Sequence, residues 1–312
     1  MALVHSDDLD SLVDETSGRE IVAAPTLVNR FAELTKKYEP FLNFGDRREW
    51  LKNNVQKVLS PCDINIFLQQ TREYENHKNY RQNTGLFVTR LIQNSCKAGN
   101  NDFELDLKSL KPIDYLAFEI SGTKERRVSI TVKGRAGDLC GSRAKYSTFI
   151  IEEAERQLGF EVEHSTFTIG RAGDGCGSGA MYSTFTIEKA GDWCGCRVYS
   201  SIFTIEETGN NCGYSTEHSI FAIKETGSEC GRLAQHSTFT IEKAGDGCGW
   251  DTQHSTFTIG TAGKSCGEDS IYSVFQSTDQ NLIKDILRNI PRFKNNKVYH
   301  IQPDGTLKKR WF

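Results

Sequence analysis

A phenylalanine stands at positions 149, 167, 185, 203, 221, 239, 257 and 275, an unbroken step of eighteen residues. Cysteine keeps the same step at 140, 176, 194, 212, 230, 248 and 266, with Leu158 filling the one gap. A period this regular means that each repeat is one structural unit stacked on the next. Within a repeat, Ser165, Phe167 and Ile169 alternate with Thr166 and Thr168, the period of two expected of a strand with one buried face. The Ala-Gly-Asp that follows has turn chemistry, because glycine reaches backbone angles closed to other residues and aspartate bonds locally. Stacking such coils pairs equivalent strands in parallel about 4.8 Å apart, and nine coils would span on the order of 40 Å.

The variations define the columns further. Leu158 in the cysteine column says that the position requires an apolar side chain and not a thiol. Upstream, Val128, Ile130 and Val132 fit the Ser, Phe and Ile columns if their coil has nineteen residues. A left-handed coil of three hexapeptides would also have eighteen residues, but every sixth position would have to be apolar. Those positions hold glycine at 173, 191, 209, 227, 245 and 263, and polar residues such as Glu161, Arg197 and Asp251.

The segments Val132-Lys-Gly-Arg-Ala-Gly-Asp-Leu-Cys-Gly141 and Ile169-Gly-Arg-Ala-Gly-Asp-Gly-Cys-Gly-Ser-Gly179 resemble the Gly-x-Gly-x-Gly repeat of a right-handed β-helix family. That family includes the C-terminal domain of the glutamate synthase large subunit and one of the subunits of formylmethanofuran dehydrogenase. The likeness covers residues 128–276. It implies a right-handed parallel β-helix that joins or supports catalytic domains, and it transfers no functional residue.

The fold class expected is α+β: an all-helical N-terminal domain, then the right-handed parallel β-helix, then a C-terminal helix and hairpin as a cap. Residues 1–24 are acidic and poor in aromatics and read as a flexible leader. Over 25–100 the period becomes helical, with Leu27, Phe31 and Leu34 on one face and Trp50, Leu51 and Val55 on another, and with helices at 62–75 and 83–97. Residues 101–276 form the solenoid, its first coils irregular, and 277–312 the cap: a helix over 279–290 stopped by Pro291, and a hairpin from Lys297 turning at 303–305. Both flanks would cover open strand edges.

The chain of 312 residues is 37% hydrophobic with a formal net charge of −3, so charge points to neither nucleic acid nor membrane as a partner. With no secretory signal in the acidic start, a cytoplasmic location with reduced thiols is expected.

Chemistry-bearing residues fall into columns. The cysteines read as a packing ladder, since thiols pointing the same way from successive coils do not converge on a tetrahedral ion. His164, His218, His236 and His254 alternate with Tyr146, Tyr182 and Tyr272, a polar-aromatic ladder in which His218, His236 and His254 are the candidate metal ligands. Asp138, Asp174, Asp192 and Asp246 form a turn ladder. The pairs Thr166/Thr168, Thr184/Thr186, Thr238/Thr240 and Thr256/Thr258 present an outward array, the candidate contact face, similar to that of some ice-binding proteins. No metalloprotease helix, phosphate-binding loop or serine elbow is present. The expectation is therefore a scaffold or protein-interaction module without catalytic residues or cofactor, its partner a protein held by the helical domain or the solenoid face. A supporting part of a redox metabolic enzyme and an ice- or surface-binding protein are the alternatives.

Overall fold

The computed structural model describes residues 31–43, 48–291 and 294–310; the proposed leader and Leu27 lie outside them. Helices α1 (Ala32–Leu42), α2 (Arg48–Asn54), α3 (Pro61–Gln70) and α4 (Tyr80–Lys97) precede the sheet. Their core is aromatic, with Tyr38 set edge-on against Phe67, Tyr74 and Phe87 at 5.2–5.7 Å. Ser60 caps α3 by accepting the Asp63 N–H, as a serine before a Pro-led helix should. A single 3₁₀ turn, Thr71–Tyr74, follows it.

Twelve strands form one sheet in chain order: β1 (Asp102–Asp106), β2 (Val128–Ala136), β3 (Ser147–Ala154), β4 (Thr166–Ala172), β5 (Thr184–Lys189), β6 (Ile202–Thr208), β7 (Ile220–Thr226), β8 (Thr238–Lys243), β9 (Thr256–Thr261), β10 (Val274–Ser277), β11 (Lys297–Ile301) and β12 (Leu307–Arg310). All pairings are parallel except the closing hairpin of β11 with β12. The result is a parallel β-solenoid of about eight turns, one fewer than the nine coils expected. Helix α5 (Gln280–Asn289), capped by Asp279, fills the turn between β10 and β11.

The alternation expected from sequence sets the register. Phe149, Phe167 and their successors point inward and stack ring on ring at 4.6–5.2 Å, with interplanar angles of 0–11°. The nineteen-residue coil is present: Val128 pairs with Ser147, Ile130 with Phe149 and Val132 with Ile151, and the register then slips at Gly134, a bulge that restores the eighteen-residue step by Ala136.

The buried serines are also in register. From Ser165 to Ser273 each accepts the backbone N–H of the serine one coil earlier and donates to the carbonyl two residues back; Ser219 takes the Ser201 N–H at 3.1 Å and gives to Glu217 O at 2.8 Å. Every polar atom that this column buries thus gains a partner, which is the condition for placing hydroxyls in a core.

The remainder of each coil has little strand in it. A second line of pairing consists of single bridges such as Glu163 to Met181 and Met181 to Tyr199. Between them the backbone turns left-handed at four positions per coil, in one case Gly175, Gly177, Gly179 and Tyr182 at φ +72°, +66°, +70° and +50°. Non-glycine residues occupy three of these columns, among them Gln157, Arg143 and Tyr182, at a cost of about 1–2 kcal/mol each. Bonds to the next coil offset that cost: Gln157 N–H to Asp174 O at 2.8 Å and Arg143 N–H to Phe160 O at 2.7 Å.

The helices cover the first strand edge. Asn65 of α3 accepts the Asp106 N–H at 2.9 Å and Gln69 donates to Asp106 O at 2.6 Å. Thr89 of α4 donates to Tyr115 O and accepts from Ala117 N–H. Arg81 ties the same helix to Asp114 and Glu155.

Candidate functional site: the outer strand face and its flanking columns

Three ranks run side by side along the solenoid. The outermost carries Tyr146, His164, Tyr182, Ser200, His218, His236, His254 and Tyr272, each with positive φ. Left-handed backbone turns these rings out of the strand and lets them stack: His218 on His236 at 5.0 Å and His236 on His254 at 4.9 Å. A single ion about 2.0–2.1 Å from two imidazole nitrogens needs those nitrogens within about 4.2 Å of each other. Parallel rings at this spacing would have to tilt together to meet it. Among the described residues no group of three or more His, Cys, Asp or Glu is arranged to hold a metal ion.

The next two ranks are the threonine array. Thr168, Thr186, Thr238 and Thr240 are exposed, and Thr166, Thr184, Thr256 and Thr258 are half-buried. All eight lie on the outward side, with Thr166 facing Thr184 and Thr168 facing Thr186 in register across β4 and β5, and Thr238 facing Thr256 and Thr240 facing Thr258 across β8 and β9. The centre of the face is apolar: Ile202 and Ile220 are paired neighbours, 45% and 50% exposed, beside Ala222, and Ile150 near one end is 50% exposed. Charged residues border it, bridged from coil to coil as Lys189–Glu207 at 2.7 Å, Lys224–Glu206 at 3.2 Å and Lys243–Glu225 at 2.5 Å. Exposed pairs of this kind contribute little to stability. Their effect is to give the border fixed charges.

The cysteine column lies in the core. Cys140, Cys176, Cys194, Cys212, Cys230, Cys248 and Cys266 are free thiols, fully buried. Burial pushes Cys140 up to about 12, and raises Cys212, where thiol-to-thiol bonds with Cys194 and Cys230 add to the effect. A thiolate in an apolar core lacks compensation except where neighbouring thiols donate to it. Hydrogen bonds from Cys176 and Cys212 pull Cys194 down, and those from Cys212 and Cys248 pull Cys230 down, so the row is a buried chain of mutually bonded sulfurs. Cys196 stands apart from it. It is 8% exposed on the turn side, its thiol raised by burial and moderated by the adjacent Arg197.

The aspartates are structural. Asp174 Oδ1 accepts the Asp192 N–H, Asp192 Oδ1 the Asn210 N–H, and Asn210 Oδ1 the Ser228 N–H, at 2.8–3.0 Å. Each caps the turn of the following coil. Asn210 does so as well as an acid, which is why the column tolerates it.

The columns hide one further feature. In the coil that follows β4, Gly175, Ser178 and Gly179 stand where the adjacent coils carry Gln157, Phe160 and Glu161 on one side and Trp193, Cys196 and Arg197 on the other. The result is a notch of 620 Å³. Its signal was the run Gly173-Asp-Gly-Cys-Gly-Ser-Gly179, the one repeat in which every outward turn position is small. No helix among the described residues is long and apolar enough to cross a membrane. Comparison of the chain with protein-family models, with curated proteins and with solved structures found no match in any of the three.

Proposed function

We propose that this protein is a non-enzymatic scaffold whose flat outer strand face holds a protein partner. The observation that carries this reading is the central Ile202/Ile220 pair, about half exposed on a rigid, in-register surface. Solvent-exposed apolar side chains at the middle of a polar-rimmed face have the arrangement of an interface core. The threonine methyls extend the apolar area, and the bridged Lys and Glu of the border supply a polar rim. A β-helix that supports catalytic domains, as the repeat's likeness to the glutamate synthase and formylmethanofuran dehydrogenase modules suggests, is a narrower form of the same role.

The test uses the full chain with Ile202→Lys and Ile220→Glu together, opposite charges because the two are register partners. Both side chains point outward, so circular dichroism and melting should match wild type while partner capture is lost. Unchanged capture by the folded double variant would refute the face as the contact surface, and truncation before residue 101 would then examine the helical region.

The paired threonines support a second reading, adsorption to ice or another ordered surface, because hydroxyls and methyls repeat at the coil spacing over four strands. Thr184→Tyr and Thr240→Tyr should then abolish thermal hysteresis shown by the wild type. Equal behaviour of all three proteins removes this reading.

A further inference from the structure

We infer that the notch beside Trp193 is a binding site for a small flat-ringed acid, an aromatic or heteroaromatic monoanion. The solenoid itself shows what fits there. Its inner phenylalanines and the stacked His/Tyr pairs of the outer column repeat one ring per coil at 4.6–5.2 Å. A vacancy one coil thick, open where Gly175, Ser178 and Gly179 carry no bulky side chain, has the thickness of one such ring. A ligand ring would lie between Phe160 on the preceding coil and Trp193 on the next, gaining the offset or edge contacts that aromatic pairs favour. Trp193 is 44% exposed and braced on its far side by Tyr214, edge-on at 5.4 Å.

The charged side chains of the notch leave one cation and one acceptor to face a ligand. Around the notch Arg156 is paired with Asp138 at 2.9 Å and Glu161 with Arg143 at 3.0 Å. Arg197 lines the notch and has no hydrogen bond or ion pair to a described side chain. A planar guanidinium is suited to a carboxylate, which it grips through two N–H groups. Asp174 gives one oxygen to the Asp192 N–H, which leaves the other for an amino N–H carried on the ring.

The probe is 2-aminobenzoate, with 2-aminobenzamide as its neutral match and cyclohexanecarboxylate as the acid without a flat ring, each titrated calorimetrically against the full-length protein. Saturable 1:1 binding of 2-aminobenzoate is expected, weakened about tenfold in Gly175→Gln and in Arg197→Gln. Arg197→Gln should leave the amide's binding unchanged. Gly175→Gln is compatible with the fold because Gln157 holds the same column at φ +58° and the added Cβ meets nothing closer than 3.4 Å. Ser178→Tyr, which copies Tyr214 two coils on, is the second filling variant. Alkylation mapped by mass spectrometry locates the site, since ligand should shield Cys196 and not the exposed Cys62. The inference is overturned by unchanged binding in both filling variants, by equal binding of cyclohexanecarboxylate, or by no saturable binding of 2-aminobenzoate at millimolar concentration.

Discussion

The carboxylate of Asp174 occupies the space into which a side chain on Gly191, one coil later, would project. The same overlap couples Asp192 to Gly209, Asn210 to Gly227 and Asp246 to Gly263, so the Gly and Asp columns are two halves of one device. Gly191→Ala should destabilise the protein by about 2–3 kcal/mol, and Asp174→Ala, which strips the Asp192 N–H of its acceptor, by about 1–3 kcal/mol. In the double variant the clash with the carboxylate is gone. Denaturant unfolding should therefore show a combined loss smaller than the sum by at least about 1 kcal/mol; strict additivity would mean that the two columns are independent.

Two glycines with the same backbone angle should differ sharply. Gly213 and Gly247 have φ of +66° and +67°. A Cβ on Gly213 would stand 2.7 Å from the Phe239 ring, whereas one on Gly247 meets nothing nearer than 3.5 Å. Alanine at 247 should cost about 1–2 kcal/mol, the left-handed penalty alone. At 213 the loss should exceed that by a further ~1–3 kcal/mol, since the ring stack has no slack. Melting temperatures of the two variants, measured side by side, decide the point.

The serine row should be sensitive to loss of one hydroxyl. Ser219→Ala leaves the buried Ser201 N–H without its acceptor, at an expected cost of about 1–3 kcal/mol. Ser219→Thr keeps the oxygen but adds a methyl in a filled core, and serves as the steric comparison. Hydrogen exchange at the Ser201 amide should accelerate in the alanine variant.

Thiol chemistry separates the cysteines. In the native protein at about pH 8, Cys62 should react with a thiol reagent, and the seven ladder thiols should react only after unfolding. Cys140 is raised from 9.0 to about 12 in the folded chain. Above about pH 9 the unfolded thiol therefore sheds a proton that the folded one retains, and the unfolded state gains. The contribution to stability is complete below about pH 9 and falls as pH rises toward about 12. Cys140→Leu, which repeats the natural Leu158 of the next coil, should flatten that part of the profile.

Much of this architecture was legible because an eighteen-residue step leaves little freedom: the inward Ser, Phe and Ile, the outward Thr and even the extra residue of the coil holding Val132 follow from counting. The left-handed turns at Gln157 or Tyr182 were hidden, since these residue types ordinarily avoid positive φ and accept it here for the bonds they make to the next coil. The function of the glycine column beside Phe was equally hidden, because the ring that forbids a side chain at Gly213 belongs to Phe239, twenty-six residues later in sequence. The notch was missed for the opposite reason. Gly175, Ser178 and Gly179 fall in variable columns of the repeat, and their lack of bulk matters only against Trp193, Phe160 and Arg197 once the coils are stacked.

The eighteen-residue register has a consequence for how such a molecule could vary in length. Between Phe167 and Phe257 the inward Ser, Phe, Ile and Cys columns repeat unchanged from coil to coil, so insertion or deletion of whole repeats there would leave both ends intact. The helices over β1 and the hairpin after β10 would simply move apart or together in steps of about 4.8 Å. The protein is in this sense a ruler with fixed graduations, and the distance between whatever its two ends hold can be set only in whole multiples of one coil.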